Sequence, residues 1–75
     1  MQKILDFIKE NKEDKKEIHI SYEMSKMVEN FKEFKKENIE QNITGNYYCG
    51  ILKLDNEDIK VYSNILLEYD EIEFK

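Results

Sequence analysis

Proline, arginine, alanine and tryptophan are absent from this chain of 75 residues, which also has only two glycines, one cysteine and one histidine. The single cysteine, Cys49, excludes an internal disulfide and gives no sign of an oxidising compartment. One histidine and one cysteine are also too few for a zinc site, which takes three or four such ligands. No apolar run approaches the ~20 residues that span a bilayer, and the highly charged start does not resemble a secretory signal. We therefore expect a cytoplasmic protein without a membrane segment.

The lack of arginine and the acidic balance both argue against nucleic-acid binding. Arginine provides the bidentate donor fork that phosphate groups favour, and this chain has only lysines. Residues 1–41 carry nine lysines and ten acids, whereas residues 42–75 carry three lysines and seven acids, so most of the net charge of −5 lies in the second half. Such a surface repels a phosphate backbone. We expect no direct contact with nucleic acid.

The abundant residues indicate the kind of genome that encodes the chain. Lys, Asn, Ile, Tyr and Phe account for 38 of the 75 residues, and all of them have A/T-rich codons. The missing Ala, Arg and Pro have G/C-rich codons. We infer an AT-rich genome, such as that of a low-GC bacterium or of a phage or plasmid that lives in one.

The apolar spacing predicts a single α+β domain over residues 1–75 with the order α-β-α-β-β-β. It begins with a helix over 2–10 and a strand over 17–22, in which apolar and polar residues alternate. The strongest pattern then predicts one unbroken amphipathic helix over 23–41, packed on a mainly antiparallel sheet. The stripe of this helix consists of Met24, Met27, Val28, Phe31, Phe34, Lys35, Asn38 and Ile39.

The second half is predicted to be a meander of strands. Residues 42–46 form a loop, because one of the two glycines lies there between periodic segments. A strand follows over 47–54, and residues 55–58 make a hairpin loop before the returning strand. The strand over 47–54 is apolar on both faces. This is typical of a strand that is covered twice or has one face reserved for another molecule.

The last segment, 63–75, fits two structures. Its apolar residues change parity near Asp70, which a strand with a β-bulge would explain. The same spacing also fits a short helix behind Ser63 and Asn64, which could cap it. We expect the strand.

Few residues could carry catalysis or bind a metal. His19 and Cys49 lie on different predicted strands, so they do not form the adjacent pair that an activated thiol needs. The acidic loop with Asp55, Glu57 and Asp58 lacks the spacing and the distal glutamate of a calcium loop. The chain also lacks glycine-rich phosphate loops and nucleophile elbows. We expect no enzyme activity, no cofactor and no metal.

The acidic residues form the first candidate partner-binding surface. On the predicted long helix, glutamates would lie about 6 Å apart, which is comparable with the spacing of phosphates in a nucleic acid. With the acidic C-terminal segment they could imitate nucleic acid and occupy the basic channel of another protein. A solvated face with Glu–Lys pairs is the alternative. The residues are Glu29, Glu33, Glu37 and Glu40 on the helix and Glu68, Asp70, Glu71 and Glu73 near the C-terminus.

The tyrosine-bearing strand is the second candidate surface. Tyr47, Cys49 and Ile51 share one parity of the strand over 47–54. Tyrosine is favoured at interface hot spots because it combines apolar area with a polar tip. The face would bind a partner or a second copy of the chain, with simple core packing as the alternative.

Size, acidity and inferred genome together predict the class of function. They are typical of small phage or mobile-element inhibitors, such as anti-CRISPR and other anti-defence proteins. We therefore expect a non-catalytic protein that binds another protein, with a nuclease or CRISPR effector as the candidate partner. The alternative is a cellular regulatory module, such as an antitoxin or a homodimeric accessory protein.

Overall fold

Two short helices pack on a five-stranded sheet. The computed structural model describes residues 2–37, 46–55 and 57–75. The elements are α1 (Gln2–Asn11), β1 (Glu17–Ile20), α2 (Tyr22–Val28), β2 (Phe34–Lys36), β3 (Asn46–Leu54), β4 (Glu57–Asn64) and β5 (Ile72–Phe74). The strands form one sheet in the order β2-β3-β4-β1-β5, in which β1 and β4 are parallel and the other neighbours antiparallel. The predicted α+β class and the mainly antiparallel sheet are confirmed.

The prediction of one helix over 23–41 is wrong in length, because α2 ends at Val28. Beyond it, the amides of Asn30 and Phe31 bond to carbonyls three residues earlier, at 3.1 and 3.0 Å. The Asn30 side chain also donates to the carbonyl of Lys26, so it competes with the continuation of the helix. The α-helix therefore ends, and turns with hydrogen bonds to the third preceding residue follow it.

The chain then enters the sheet as β2, which adds a strand to the predicted order. Phe34 pairs with Leu52 and Lys36 with Gly50, so β2 forms an edge of the sheet beside β3. Exposed lysines suit an edge strand because they discourage pairing with another chain. The predicted helix positions 38–41 and the predicted loop residues 42–45 lie outside the described residues.

In the described part of the chain, the core lies on one face of the sheet. Along β4, Ile59, Val61 and Ser63 are buried, whereas Asp58 and Lys60 on the opposite face are exposed. The helices bury their apolar sides against the first face. The buried apolar residues are Leu5, Ile8, Ile18, Ile20, Met24, Val28, Phe31, Cys49, Leu52, Leu54, Ile59 and Val61.

A β-bulge explains why β3 is apolar at both parities. Tyr48 pairs with Tyr62 but Gly50 pairs with Val61, so Cys49 is the extra residue in the strand. Its insertion switches the core-facing positions from odd to even numbers. At Gly50 a β-carbon would lie 2.3 Å from the carbonyl oxygen of Lys35, so only glycine lets β2 approach β3 this closely.

The C-terminal segment 63–75 is neither one bulged strand nor a helix. Strand β4 extends to Asn64, residues 65–71 form turns, and β5 pairs antiparallel with β1. The expectation of a strand is confirmed for Ser63 and Asn64, which end β4, and for Ile72–Phe74. Two further bounds change by two residues: β1 ends at Ile20 rather than at residue 22, and β4 begins at Glu57, inside the predicted hairpin loop.

Candidate partner-binding site

The β4–β5 turn, residues 65–71, presents several exposed apolar side chains. Ile65 is 64%, Leu66 81% and Tyr69 67% exposed, and they are the three most exposed large apolar side chains of the described residues. The other leucines, isoleucines and valines of the described residues are buried or half-buried, so this exposure is a local feature of the turn. Apolar groups clustered at the surface are typical of interaction sites.

Hydrogen bonds at both ends hold the β4–β5 turn in place. The hydroxyl of Ser21 donates to the Tyr69 carbonyl at 2.8 Å, which connects the turn to the start of α2. The Leu66 amide donates to Asn64 Oδ1 at 2.9 Å, and the Glu68 amide donates to Glu71 Oε1 at 2.7 Å. The apolar side chains are therefore presented on an ordered backbone, which reduces the entropy lost on binding.

Carboxylates surround the apolar residues of the β4–β5 turn. Glu68, Asp70 and Glu71 are exposed, and residues 65–71 contain no lysine. The sequence predicted these three acids as partner-binding residues, and all three lie in this turn. It did not single out Ile65, Leu66 and Tyr69, because their spacing fits a strand or a short helix as well. No local signal distinguishes them from core residues.

The other proposed acids do not form a row on one helix. Glu29 lies at the end of α2 and pairs with Lys26 at 3.8 Å, while Glu33 lies in the turn before β2. Glu37 follows β2 and accepts a hydrogen bond from Tyr48 Oη. Glu40 lies outside the described residues. The helical spacing on which phosphate imitation depended is therefore absent from residues 29–37.

The proposed tyrosine face is divided between the two sides of the sheet. Cys49 is 3% exposed, and burial is the main cause that raises the pKa of its thiol. Tyr47 is half-buried and packs against the core. Ile51, beyond the bulge, pairs with Lys60 on the opposite face. The structure therefore does not bring these three residues together on one surface.

An aromatic row crosses the face of the sheet opposite the described core, and the sequence patterns did not predict it. The His19 and Tyr62 rings stack with centroids 4.8 Å apart, and Tyr48 meets Tyr62 at 5.3 Å. Glu17 Oε1 lies 3.1 Å from His19 Nε2, and Glu37 accepts the Tyr48 hydroxyl. Burial, followed by the Glu37 hydrogen bond, raises the pKa of Tyr48 to about 12. The rings cover each other, so the row is best explained as packing.

An ion-pair cluster connects the α1–β1 loop to the start of β4. Lys12 Nζ and Lys16 Nζ both donate to the carboxylate of Glu57, the latter at 2.9 Å. These hydrogen bonds lower the pKa of Glu57 to about 2. A carboxylate paired in this way is fully ionised near neutral pH, so it acts as a structural anchor and not as a proton donor.

The described residues offer no sign of metal chemistry. Among them, no group of three or more His, Cys, Asp or Glu side chains is placed to hold a metal ion. None of the helices in the described ranges is long and apolar enough to cross a membrane. Comparison with protein-family models, with curated proteins and with solved structures gives no match to this chain. The function is therefore inferred from the surface that the fold presents.

Proposed function

We propose that this protein is a small acidic, non-catalytic inhibitor that binds another protein through the β4–β5 turn. The observation that carries the proposal is the combination of Ile65, Leu66 and Tyr69 at the surface with the carboxylates of the same turn. Protein interfaces are centred on a few large apolar or aromatic anchors, and polar groups form their rim. The turn has this arrangement.

The chemistry of the β4–β5 turn favours a partner with an apolar pocket bordered by lysine or arginine. The carboxylates of Glu68, Asp70 and Glu71 would attract such a rim and repel an acidic one. Basic surfaces are the property that proteins need in order to hold nucleic acid. We therefore propose a nucleic-acid-handling partner, such as a nuclease or CRISPR effector, in the cytoplasm of a bacterial host. The AT-rich composition supports a phage or mobile element as the source of the gene, and an anti-CRISPR or other anti-defence role.

The experiment is an affinity capture from a nuclease-treated lysate of a low-GC bacterium, followed by mass spectrometry. Three baits are compared: the native chain, Leu66→Ser, and the control Met27→Ser, whose side chain is also exposed but lies on α2. We expect one stoichiometric nucleic-acid-handling protein with the native and Met27→Ser baits. Leu66→Ser should recover far less, because truncating a hot-spot residue costs about 2 kcal/mol or more, roughly thirtyfold in affinity.

Two results would contradict the proposal. Equal recovery by Leu66→Ser and the native bait would exclude the β4–β5 turn as the contact. Recovery of the bait alone, at twice its monomer mass by light scattering, would instead support the homodimeric regulatory module. If Leu66→Ser were then monomeric, the exposed β4–β5 turn would be the surface through which the chain self-associates.

A further inference from the structure

A shallow apolar groove lies beside the β4–β5 turn, between α1 and β5. Its volume is about 180 Å³, and its lining is Ile4, Phe7, Met24, Asp70 and Ile72. Four of these residues are apolar, and Asp70 provides the one charged group. Phe7 is 48% exposed, so its ring forms an open wall of the groove.

The size of the groove fits one large side chain. A cavity of about 150 Å³ lined by aliphatic and aromatic residues accommodates a benzene molecule. The groove therefore has room for a single aromatic or branched aliphatic group, and its opening to solvent allows that group to enter from a neighbouring chain.

The position of Asp70 indicates which charge lies beside that side chain in the bound partner. Asp70 belongs to the β4–β5 turn and directly follows Tyr69, whose carbonyl is held by Ser21. Asp70 is exposed and is the one charged residue among those that line the groove, so its negative charge favours a cation there and repels an anion.

We propose that the groove receives a large apolar side chain of the partner protein, from a segment that carries a lysine or arginine beside it. This inference rests on the function proposed above and names the partner's contact more closely. The groove and the β4–β5 turn then form one continuous surface, because Asp70 belongs to both. The partner's apolar side chain enters the groove while its cation pairs with Asp70.

The test uses phenethylammonium, which joins an aromatic ring to a cation, and phenylacetate, which joins the same ring to an anion. Binding is followed by the methyl NMR signals of Ile4 and Ile72. We expect saturable shifts with phenethylammonium and a dissociation constant about 1.5- to 5-fold lower than that of phenylacetate, the effect of one exposed ion pair. Asp70→Asn should remove this preference, whereas the control Glu68→Gln, in the same turn, should keep it.

Three outcomes would overturn the inference: no saturable shift, equal affinity for the two probes, or a preference that survives Asp70→Asn. They differ from a failure of the proposed function. If a partner is captured through Leu66 but the groove does not bind the probes, the function stands and the groove assignment is wrong. If no partner is captured at all, the proposed function fails, and the groove's role in it fails as well, whatever the probes do.

Discussion

Removal of the Ser21 hydroxyl should weaken the fold and the β4–β5 turn together. The buried hydroxyl accepts a hydrogen bond from the Met24 amide at 3.0 Å, as the N-cap of α2, and donates to the Tyr69 carbonyl at 2.8 Å. Replacing a serine N-cap with alanine costs about 1 kcal/mol, and loss of a second neutral hydrogen bond costs about 1 kcal/mol more. We expect Ser21→Ala to lower the free energy of unfolding by about 2 kcal/mol.

Ser25→Ala is the matched control, because Ser25 is equally buried and undergoes the same chemical change. Its hydroxyl donates to the Tyr22 carbonyl at 2.6 Å, within α2, and has no bond to the turn. Alanine also favours the helix interior over serine, which offsets part of the lost hydrogen bond. We expect the free energy of unfolding to change by no more than about 0.5 kcal/mol.

Two measurements check this prediction. Urea denaturation gives the free energies of unfolding, and a loss of about 2 kcal/mol in a domain of this size should lower the melting temperature by roughly 8–16 °C. Hydrogen exchange at the amides of Leu66 and Glu68 reports on the turn itself and should accelerate in Ser21→Ala alone. Equal destabilisation of the two variants, or unchanged exchange in the turn, would refute the coupling that we derive.

Three further predictions concern other parts of the fold. Gly50→Ala should separate β2 from β3, because the new β-carbon would lie 2.3 Å from the Lys35 carbonyl oxygen. We expect faster amide exchange at Lys53 and a decrease in the free energy of unfolding of about 2 kcal/mol or more. An unchanged stability in urea would contradict the tight contact. The Glu57 ion pairs should stabilise the fold above the unfolded pKa of a glutamate, about 4.3, and this contribution should disappear as the pH falls towards the folded pKa of about 2. In Glu57→Gln the urea midpoint should therefore depend less on pH between these two values. An unchanged pH dependence would count against the pairing. Tyr48 should ionise with a pKa of about 12, above the value of about 10 of an ordinary tyrosine, so stability should fall as the pH rises from 10 to 12. Ultraviolet titration of the native chain against Tyr48→Phe should identify this step, and a step near the ordinary value would contradict the burial of the phenol and its hydrogen bond to Glu37.

Local spacing alone predicted several elements. The helix α1 and the strand β1 follow from the spacing of Ile4, Leu5 and Ile8 and from the alternation at Ile18 and Ile20. In both elements one face is apolar and the other polar, so periodicity is sufficient, although β1 then pairs with the distant strands β4 and β5. The pairing of β3 with β4 follows from their short separation, because a hairpin joins strands that a short acidic loop separates.

Periodicity did not predict the elements whose structure depends on pairing with another strand. Phe31 and Phe34 fit a helical stripe, yet Phe34 lies in β2 because the edge of β3 is open beside it. Strand pairing also explains the bulge at Cys49, which lets both Tyr47 and Leu52 contact the core. In each case the pairing partner supplies hydrogen bonds that a local pattern does not contain.

The charge of this protein, its α+β class and the acids Glu68, Asp70 and Glu71 follow from the amino-acid sequence alone. The exposure of Ile65, Leu66 and Tyr69 beside these acids follows from tertiary packing. Ile65 and Leu66 are as apolar as the core residues, and the difference arises from the pairing of the strands on either side of the turn. Parallel pairing of β1 with β4, followed by the return of β5 to β1, leaves residues 65–71 as a connection outside the core. Composition fixes how apolar a residue is, whereas packing against distant elements fixes whether it is buried.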